Sequence, residues 1–356
     1  MAKDMHTEEW ESATLTKLAV FEQYIHDWLN VTLNYQRGLK FNTLEIYDLF
    51  CGSGYDGVKI HKGSPLRILD AVLKRNRKEK TIKIYLNDND KNKIERLKQI
   101  IQQEYPNLEE QNIKLQYTSI NTKDYKIHSG NYYKLIFLDQ YGIQHVNKIE
   151  EFLMKGTDLL VFISSGHVRR FVEDEGFKKY IDSRFISKQD FEGKSNYETH
   201  RVITQYFKQK FSQSFISPFS LVKDNGNING LIFISSHQKG QEQFLKTAWK
   251  IDGDFGEGNK NIDRDITKEK GTLFYDKDAV SEKEKRYKEL LVDYLKECRS
   301  NIDIKTFGLD NGFLAKHTNV ILQDIKNNLQ LQYYNNAKSG FHLDDDKLKV
   351  KVRYIK

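Results

Sequence analysis

The stretch that most constrains this chain is Leu44-Glu45-Ile46-Tyr47-Asp48-Leu49-Phe50-Cys51-Gly52-Ser53-Gly54-Tyr55-Asp56-Gly57. An apolar run of strand length ends in an acid and passes directly into a glycine turn. Glycine serves such a turn twice: it reaches positive φ without steric cost, and its missing Cβ lets a ligand approach the backbone. A strand feeding a glycine turn predicts the first βα unit of a doubly wound α/β sheet. Gly52-x-Gly54-x-x-Gly57 also fits the dinucleotide fingerprint, which alone is a weak signal.

Two features favour S-adenosylmethionine (SAM) over a nicotinamide dinucleotide. In the nicotinamide version a helix opens within the glycines and aims its N-terminus at the pyrophosphate. Here the next helix start is Ser64-Pro65-Leu66, with Ser64 as the expected N-cap and Pro65 in the first helical position. Asp48, just before the turn, would repel a pyrophosphate but suits the ammonium of a methionine moiety. A glycine-rich turn with no ligand is the plain structural alternative.

Further along, 15–34 places Leu18, Phe21, Ile25, Trp28 and Leu29 at helical spacing, as expected of a covering helix. Thr81-Ile82-Lys83-Ile84-Tyr85-Leu86 reads as the second strand, and Asp88 beyond it is the candidate for the ribose hydroxyls. Asp90 is a weaker candidate, because acids also favour helix starts. After the third strand, Ile113-Lys114-Leu115-Gln116-Tyr117, Ser119 and Asn121 are candidates for the adenine edge or for ordinary turn chemistry. The buried strand Tyr133-Lys134-Leu135-Ile136-Phe137-Leu138 delivers Asp139-Gln140-Tyr141-Gly142 to the edge where ligands bind. Asp139 there can orient an acceptor amine while Tyr141 stacks on a base. The candidate cofactor contacts are thus Asp48, Phe50, Gly52, Gly54, Asp88 and Asn121; the candidate catalytic pair is Asp139 and Tyr141.

A fifth strand, Asp158-Leu159-Leu160-Val161-Phe162-Ile163, precedes a long helical insertion at 166–215 that carries Arg169, Arg170, Arg184, His200 and Arg201. Long insertions on enzyme sheets commonly build substrate sites, although a single arginine is more often a solvated charge. Two apolar runs flanking Asn225-Gly226 and Asn229-Gly230 predict an antiparallel hairpin. The expected architecture is a Rossmann-like class I methyltransferase sheet, mostly parallel with an antiparallel C-terminal hairpin. Its domains run 1–40 (helical cover), 41–251 (SAM-methyltransferase-like, with the insertion), 252–272 (linker) and 273–356. In the last, helices at 282–298 and 312–326 and two strand-like runs predict a small winged-helix-like module. Its Lys316, His317, Lys326 and Lys338 are candidates for phosphate contact.

With two cysteines, Cys51 and Cys298, the chain has no disulfide framework and no cysteine-rich zinc site, and no metal site is expected. That economy, with no apolar membrane span, fits the cytoplasm. A net charge of +7 permits nucleic acid as a partner without requiring it.

The chain resembles the three-Cys-motif partner protein (TcmP) family across about residues 10–250. The likeness rests on Tyr47-Asp48-Leu49-Phe50-x-Gly52-x-Gly54, Gly63-Ser64-Pro65-Leu66 and Phe137-Leu138-Asp139-x-Tyr141-Gly142. The resemblance implies a class I SAM-methyltransferase-like fold in bacteria and association with a separate three-cysteine protein that looks like a radical-SAM enzyme. One departure matters: the family has proline after the aspartate, and this chain has Gln140. The expectation is therefore a SAM-dependent methyltransferase acting on a nitrogen, most plausibly of a nucleic-acid base. The alternative is a non-catalytic or cofactor-sensing partner protein that binds another protein or DNA.

Overall fold

The structure is a computed structural model that describes residues 9–35, 42–76, 79–140, 142–334 and 340–355. Tyr141 and Lys338 lie outside the described residues. The chain divides into two compact units, Met1–Thr247 and Ala248–Lys356.

The first unit is built on seven strands: β1 Thr43–Asp48, β2 Thr81–Asn87, β3 Ile113–Thr118, β4 Tyr133–Leu138, β5 Thr157–Ile163, β6 Phe215–Val222 and β7 Ile228–Ser235. They form one sheet in the order β3-β2-β1-β4-β5-β7-β6. β1 to β5 run parallel, and β7 enters antiparallel between β5 and β6. This is a Rossmann-like, doubly wound fold, mostly parallel and closed by the expected hairpin. The parallel strands are almost continuously apolar because both faces are covered, as the buried pattern of β1 and β4 shows. The winding direction reverses between β1 and β4, and in such sheets ligands sit outside the carboxyl ends of the strands at the reversal.

The helices of this unit are α1 Ser12–Asn34, α2 Ser64–Leu73, α3 Lys91–Glu104, α4 Ile149–Phe152, α5 Ser165–Phe171, α6 Glu175–Lys178, α7 Thr199–Lys210 and, at its end, α8 Gln238–Ile251. α1 buries Leu18, Phe21, Ile25, Trp28 and Leu29, the stripe its spacing predicts. Each such side chain contributes roughly 1.5–3 kcal/mol relative to exposure. Phe21 stacks on Phe137 of β4 with ring centroids 4.0 Å apart, which fixes α1 against the strand that leads into Asp139. The insertion is packed: Val168, Ile181, Phe191, Ile203 and Phe207 join the core over β4, β5 and β7. His200 is fully buried, bonded to Ser165 Oγ at 2.7 Å and to the Leu231 carbonyl at 3.1 Å. Exposed Arg184 pairs with Asp182 at 2.6 Å, a local surface use of its charge.

The second unit holds α9 Glu282–Tyr294, β8 Arg299–Ser300, α10 Asn301–Asp310, α11 Ala315–Asp324, β9 Leu329–Tyr333 and β10 Val350–Tyr354. Its small antiparallel sheet has the order β8-β10-β9. Where the sequence predicts two helices there are three, since Ser300 and Asp303 form a capping box that starts α10. α9 ends at Tyr294 rather than near 298, because the chain must straighten to pair β8 with β10. Asn301 is the internal fastener. Its amide donates to the carbonyls of His342 and Lys347 and accepts from the Lys349 N–H, each near 3 Å. Segment 252–272 has one 3-10 turn and is gathered by Asp252, whose carboxylate accepts N–H bonds from Phe255, Glu257 and Gly258. Among the described residues, no helix is long and apolar enough to cross a membrane.

Candidate functional site

Three acids meet at the carboxyl ends of neighbouring strands: Asp48 ends β1, Asp88 follows β2 and Asp139 follows β4. Asp48 is fully buried. Its Oδ1 accepts the Phe50 N–H at 3.3 Å, while its Oδ2 is buried with no hydrogen-bond partner of good geometry among the described residues, the Ser64 side chain being the polar group that bears on the carboxyl. Burial first, then the charges of Asp139 and Asp88, push its carboxyl up to about 7; Ser64 and the Phe50 N–H pull the other way. An unpaired buried carboxylate oxygen is costly, on the order of 1–3 kcal/mol, and a cation placed there would remove that cost.

The glycine turn is shaped by the same acids. Gly52 and Gly54 have φ of 63° and 98°, values that side chains rarely adopt. Asp88 Oδ2 accepts the Gly52 N–H at 3.1 Å and its Oδ1 accepts the Asp90 N–H at 2.9 Å, so Asp88 clamps the turn and leaves one lone pair on each oxygen. A Cβ on Gly54 would meet Leu97 Cδ1 at 3.0 Å, so this glycine makes room for α3 packing. Gly57 is exposed in a small loop closed by the Tyr55–Lys62 bridge and plays no part in the turn itself. That loop separates the glycines from α2, as expected. The N-cap of α2 is Gly63 and not Ser64, because Gly63 is held extended by its N–H bond to the Gly54 carbonyl at 2.7 Å. Ser64 instead becomes the first helical residue and acts on Asp48.

Asp90 takes the role ordinary helix chemistry gives it, accepting the Asn92 N–H as N-cap of α3. Asn121 is exposed and caps a 3-10 turn by accepting the Lys123 N–H at 3.0 Å. Phe50 is half-buried, its ring 5.4 Å from that of His145. His145 is half-buried, its Nδ1 has no hydrogen-bond partner among the described residues, and burial, then the charge of Lys148, lowers its pKa. Asp139 is paired with Lys17 of α1, Nζ to Oδ2 at 2.5 Å. Its Oδ1 carries no hydrogen bond among the described residues. Gln140 is buried and pinned at both ends, donating to the Phe162 carbonyl at 3.3 Å and accepting the His145 N–H at 2.7 Å. The Gln140 side chain therefore ties the loop after β4 to β5.

Sequence reasoning missed Lys17, Asn87 and His145. Asn87 is buried and stitches the strand ends together, donating to the Leu49 and Ile120 carbonyls and accepting from Thr118. Lys17 had a signal: it stands one turn before Phe21 on the apolar stripe of α1, where a lysine needs a partner. In the second unit, His317 is turned from its expected phosphate role by packing. Its ring lies 4.0 Å from Trp249, and burial lowers its pKa to about 4. Lys316 and Lys326 remain exposed. Among the described residues, no group of His, Cys, Asp and Glu is arranged to hold a metal ion.

No protein-family model matches the chain, and no curated protein matches its sequence. Solved structures similar to parts of it include a putative methyltransferase from Thermoplasma acidophilum, at 11% identity and TM-score 0.31, covering 54% of this chain and 68% of that one. Trm1 from Pyrococcus horikoshii, solved with SAM, is 11% identical at TM-score 0.33 and is covered over 58% of its length by 65% of this chain. TYW2 from P. horikoshii, solved with MeSAdo, is 10% identical at TM-score 0.32, with 66% of this chain and 67% of that one covered. Scores at this level leave fold and chemistry to be read from this chain's own strand order and side chains.

Proposed function

We propose that the chain is a SAM-dependent methyltransferase acting on a nitrogen, most plausibly of a nucleic-acid base. The observation that carries this reading is Asp48. It is a buried carboxylate at the winding reversal, one oxygen of which has no hydrogen-bond partner among the described residues, beside a glycine turn with two positive φ angles. The donor set fits a cationic nucleoside. Asp48 would hold its ammonium, Asp88 would meet its ribose hydroxyls with the lone pairs the turn leaves free, and Phe50 would flank it. When bound, SAM supplies a methyl group on a sulfonium, an electrophile that needs no metal. Asp139 Oδ1 would accept a hydrogen bond from the acceptor amine and aim the nitrogen lone pair at that methyl. Lys17 holds Oδ2 and so fixes the rotamer of Asp139. Tyr141 is proposed to stack on the base, and Asn121 to approach the adenine edge. Transfer would break the carbon–sulfur bond as the carbon–nitrogen bond forms and leave a neutral thioether, while the proton lost by the amine would pass by way of Asp139 Oδ1 to water.

The test is titration calorimetry with SAM, followed by transfer of labelled methyl to nucleic-acid pools. Saturable binding by the wild type that weakens in Asp48→Asn supports the reading; an intact fold with no SAM binding sinks it.

A second reading is favoured by the Lys17–Asp139 pair, which already occupies one oxygen of the acid that would handle the acceptor. In it the protein is a non-catalytic, cofactor-sensing member of a TcmP-like group that docks on a three-cysteine radical-SAM-like protein. SAM binding without transfer to any pool would select it. The helix–strand–helix–helix–strand–strand order of the second unit, with β10 between β8 and β9, supports a winged-helix module in either reading. Exposed Lys316 and Lys326 are its phosphate candidates. A cytoplasmic location is part of the same proposal.

A further inference from the structure

A cavity of about 330 Å³ lies away from the three acids, along the sheet at β5 and β7, lined by Gly166, Arg169, Arg170, Asn196, Asn227 and Ile228. Two guanidinium groups, two amides and no acid form its wall. Its construction is specific. Arg169 is fixed by three hydrogen bonds of about 3 Å, to the Ser195 and Lys194 carbonyls and to Thr199 Oγ1. Asn196 is fixed by donating to the Gly226 carbonyl at 3.2 Å. The nearest acid of the loop, Glu198, spends its carboxylate on the Ser195 N–H at 2.9 Å. Gly166 of α5 lies against the hairpin, where a Cβ would make an ordinary contact with the Ile228 carbonyl oxygen at 3.4 Å.

Against this fixed frame two side chains are left over. Exposed Arg170 has no ion pair, and the Asn227 side chain has no hydrogen bond, among the described residues. The guanidinium of Arg170 also bears on His167, lowering the pKa of that ring after burial has done so. The Arg170 guanidinium lies 5.8 Å over the Phe171 ring and has no anionic partner among the described residues. A cleft that offers it with an unbonded amide and no acid suits an anion with several acceptor oxygens. Its position narrows the anion further. The cleft opens beyond the carboxyl end of β5, where Ile163 pairs with Gly230 of β7. Ser164, two residues before Gly166, donates its N–H to the Gly142 carbonyl of the Asp139–Gly142 tetrad at 3.4 Å. The turn that leads from β5 into α5 beside the cleft is therefore bonded to the loop that follows Asp139.

We infer that this cleft grips a backbone phosphate of a single-stranded nucleic-acid acceptor, next to the nucleotide presented to Asp139. The inference rests on the methyltransferase reading and names its acceptor class. Phosphate contacts of this kind set position and orientation while the base is handled elsewhere.

The experiment is fluorescence anisotropy of the full chain with a short single-stranded DNA and the matching RNA, as a function of salt, for the wild type, Arg170→Ala and Asn227→Ala. Arg170 is exposed, and circular dichroism checks each fold. The expected result for Arg170→Ala is affinity about tenfold lower at low salt, and a plot of log K against log salt shallower by about one. Asn227→Ala is expected to weaken binding less and to leave the slope alone, because it removes no charge. Wild type that binds neither oligonucleotide, or affinity and slope indifferent to Arg170, overturns the inference. So does inorganic phosphate displacing the strand at an equal phosphate concentration, which would make the ligand a free phosphate. SAM calorimetry on the same proteins separates the two failures. No SAM binding by wild type sinks the methyltransferase reading, whereas intact SAM binding with Arg170-indifferent oligonucleotide affinity sinks the cleft alone.

Discussion

Asp48 and Asp158 are both buried aspartates on the central sheet, and both have raised pKa values, yet they stand in opposite situations. Asp158, near the start of β5, is desolvated but satisfied. Tyr24 Oη and Ser235 Oγ each donate to it at 2.6 Å, and its pKa rises only to about 6. Asp48, at the other edge, rises to about 7 with two further acids bearing on it and an oxygen left bare. Burial alone does not mark a site. A buried acid whose neighbours supply its hydrogen bonds is part of the framework, and one kept short of partners among like charges is waiting for a cation.

The largest effect separates binding from chemistry at the ligand edge. Asp139→Asn keeps the shape of the side chain and removes its charge, so methyl transfer should fall by about 10²–10⁴-fold with SAM affinity nearly unchanged. Single-turnover rates with labelled SAM check this, and an unimpaired rate would take Asp139 out of the chemistry. At the framework edge, Asp158→Ala strands the buried Tyr24 hydroxyl, while Ser235 Oγ keeps its bonds to His237, and should cost about 1–3 kcal/mol in urea unfolding. The folded fraction should still bind SAM with its original affinity. If SAM binding fails while stability holds, the contrast between the two aspartates is inverted.

Asp48→Asn is the complementary experiment. An amide has no charge to desolvate, so stability should stay level or rise by about 1 kcal/mol. SAM affinity should drop by about 10–100-fold for loss of the ammonium partner. A loss of several kcal/mol in stability would instead make Asp48 a second Asp158.

The sheet and the acids at its edge were legible because their signals are local. A strand-length apolar run, an acid and a glycine turn occupy consecutive residues, and Gly52 at positive φ needs no distant information to be recognised. The hairpin around Asn225-Gly226 was legible for the same reason. What stayed hidden depends on long-range pairing. Lys17 meets Asp139 across 122 residues, and nothing near either one announces the other. α10 was hidden differently. Its apolar residues Ile302, Ile304, Phe307 and Leu309 are spread around the helix, with Gly308 among them. Gly308 is required by packing, since a Cβ there would meet Thr318 Oγ1 at 2.7 Å. The role of Asp88 in clamping the turn was likewise invisible, because a carboxylate that holds backbone N–H groups and one that meets a ribose occupy the same place in the sequence.

The finest distinction between the two aspartates is in their pH dependence. In the unfolded chain either carboxyl gives up its proton near 3.8, whereas folded Asp48 keeps it to about 7 and folded Asp158 to about 6. Between those limits the folded state binds more protons than the unfolded one, so stability falls as pH rises. The part due to Asp158 is lost by about pH 6 and the part due to Asp48 by about pH 7. Only Asp48 should carry the effect over to the ligand, because the ammonium pairs with the carboxylate and not with the acid. SAM affinity should therefore rise about tenfold per unit as pH approaches 7 from below, and level off above it. Asp48→Asn should flatten that rise and remove the upper step of the stability curve, leaving the step due to Asp158 in place. Calorimetry across this range in both proteins decides the matter. A wild-type affinity that ignores pH would mean that the bare oxygen of Asp48 does not face the cofactor's ammonium, and the cation would then have to be sought at Asp88 or Asp139.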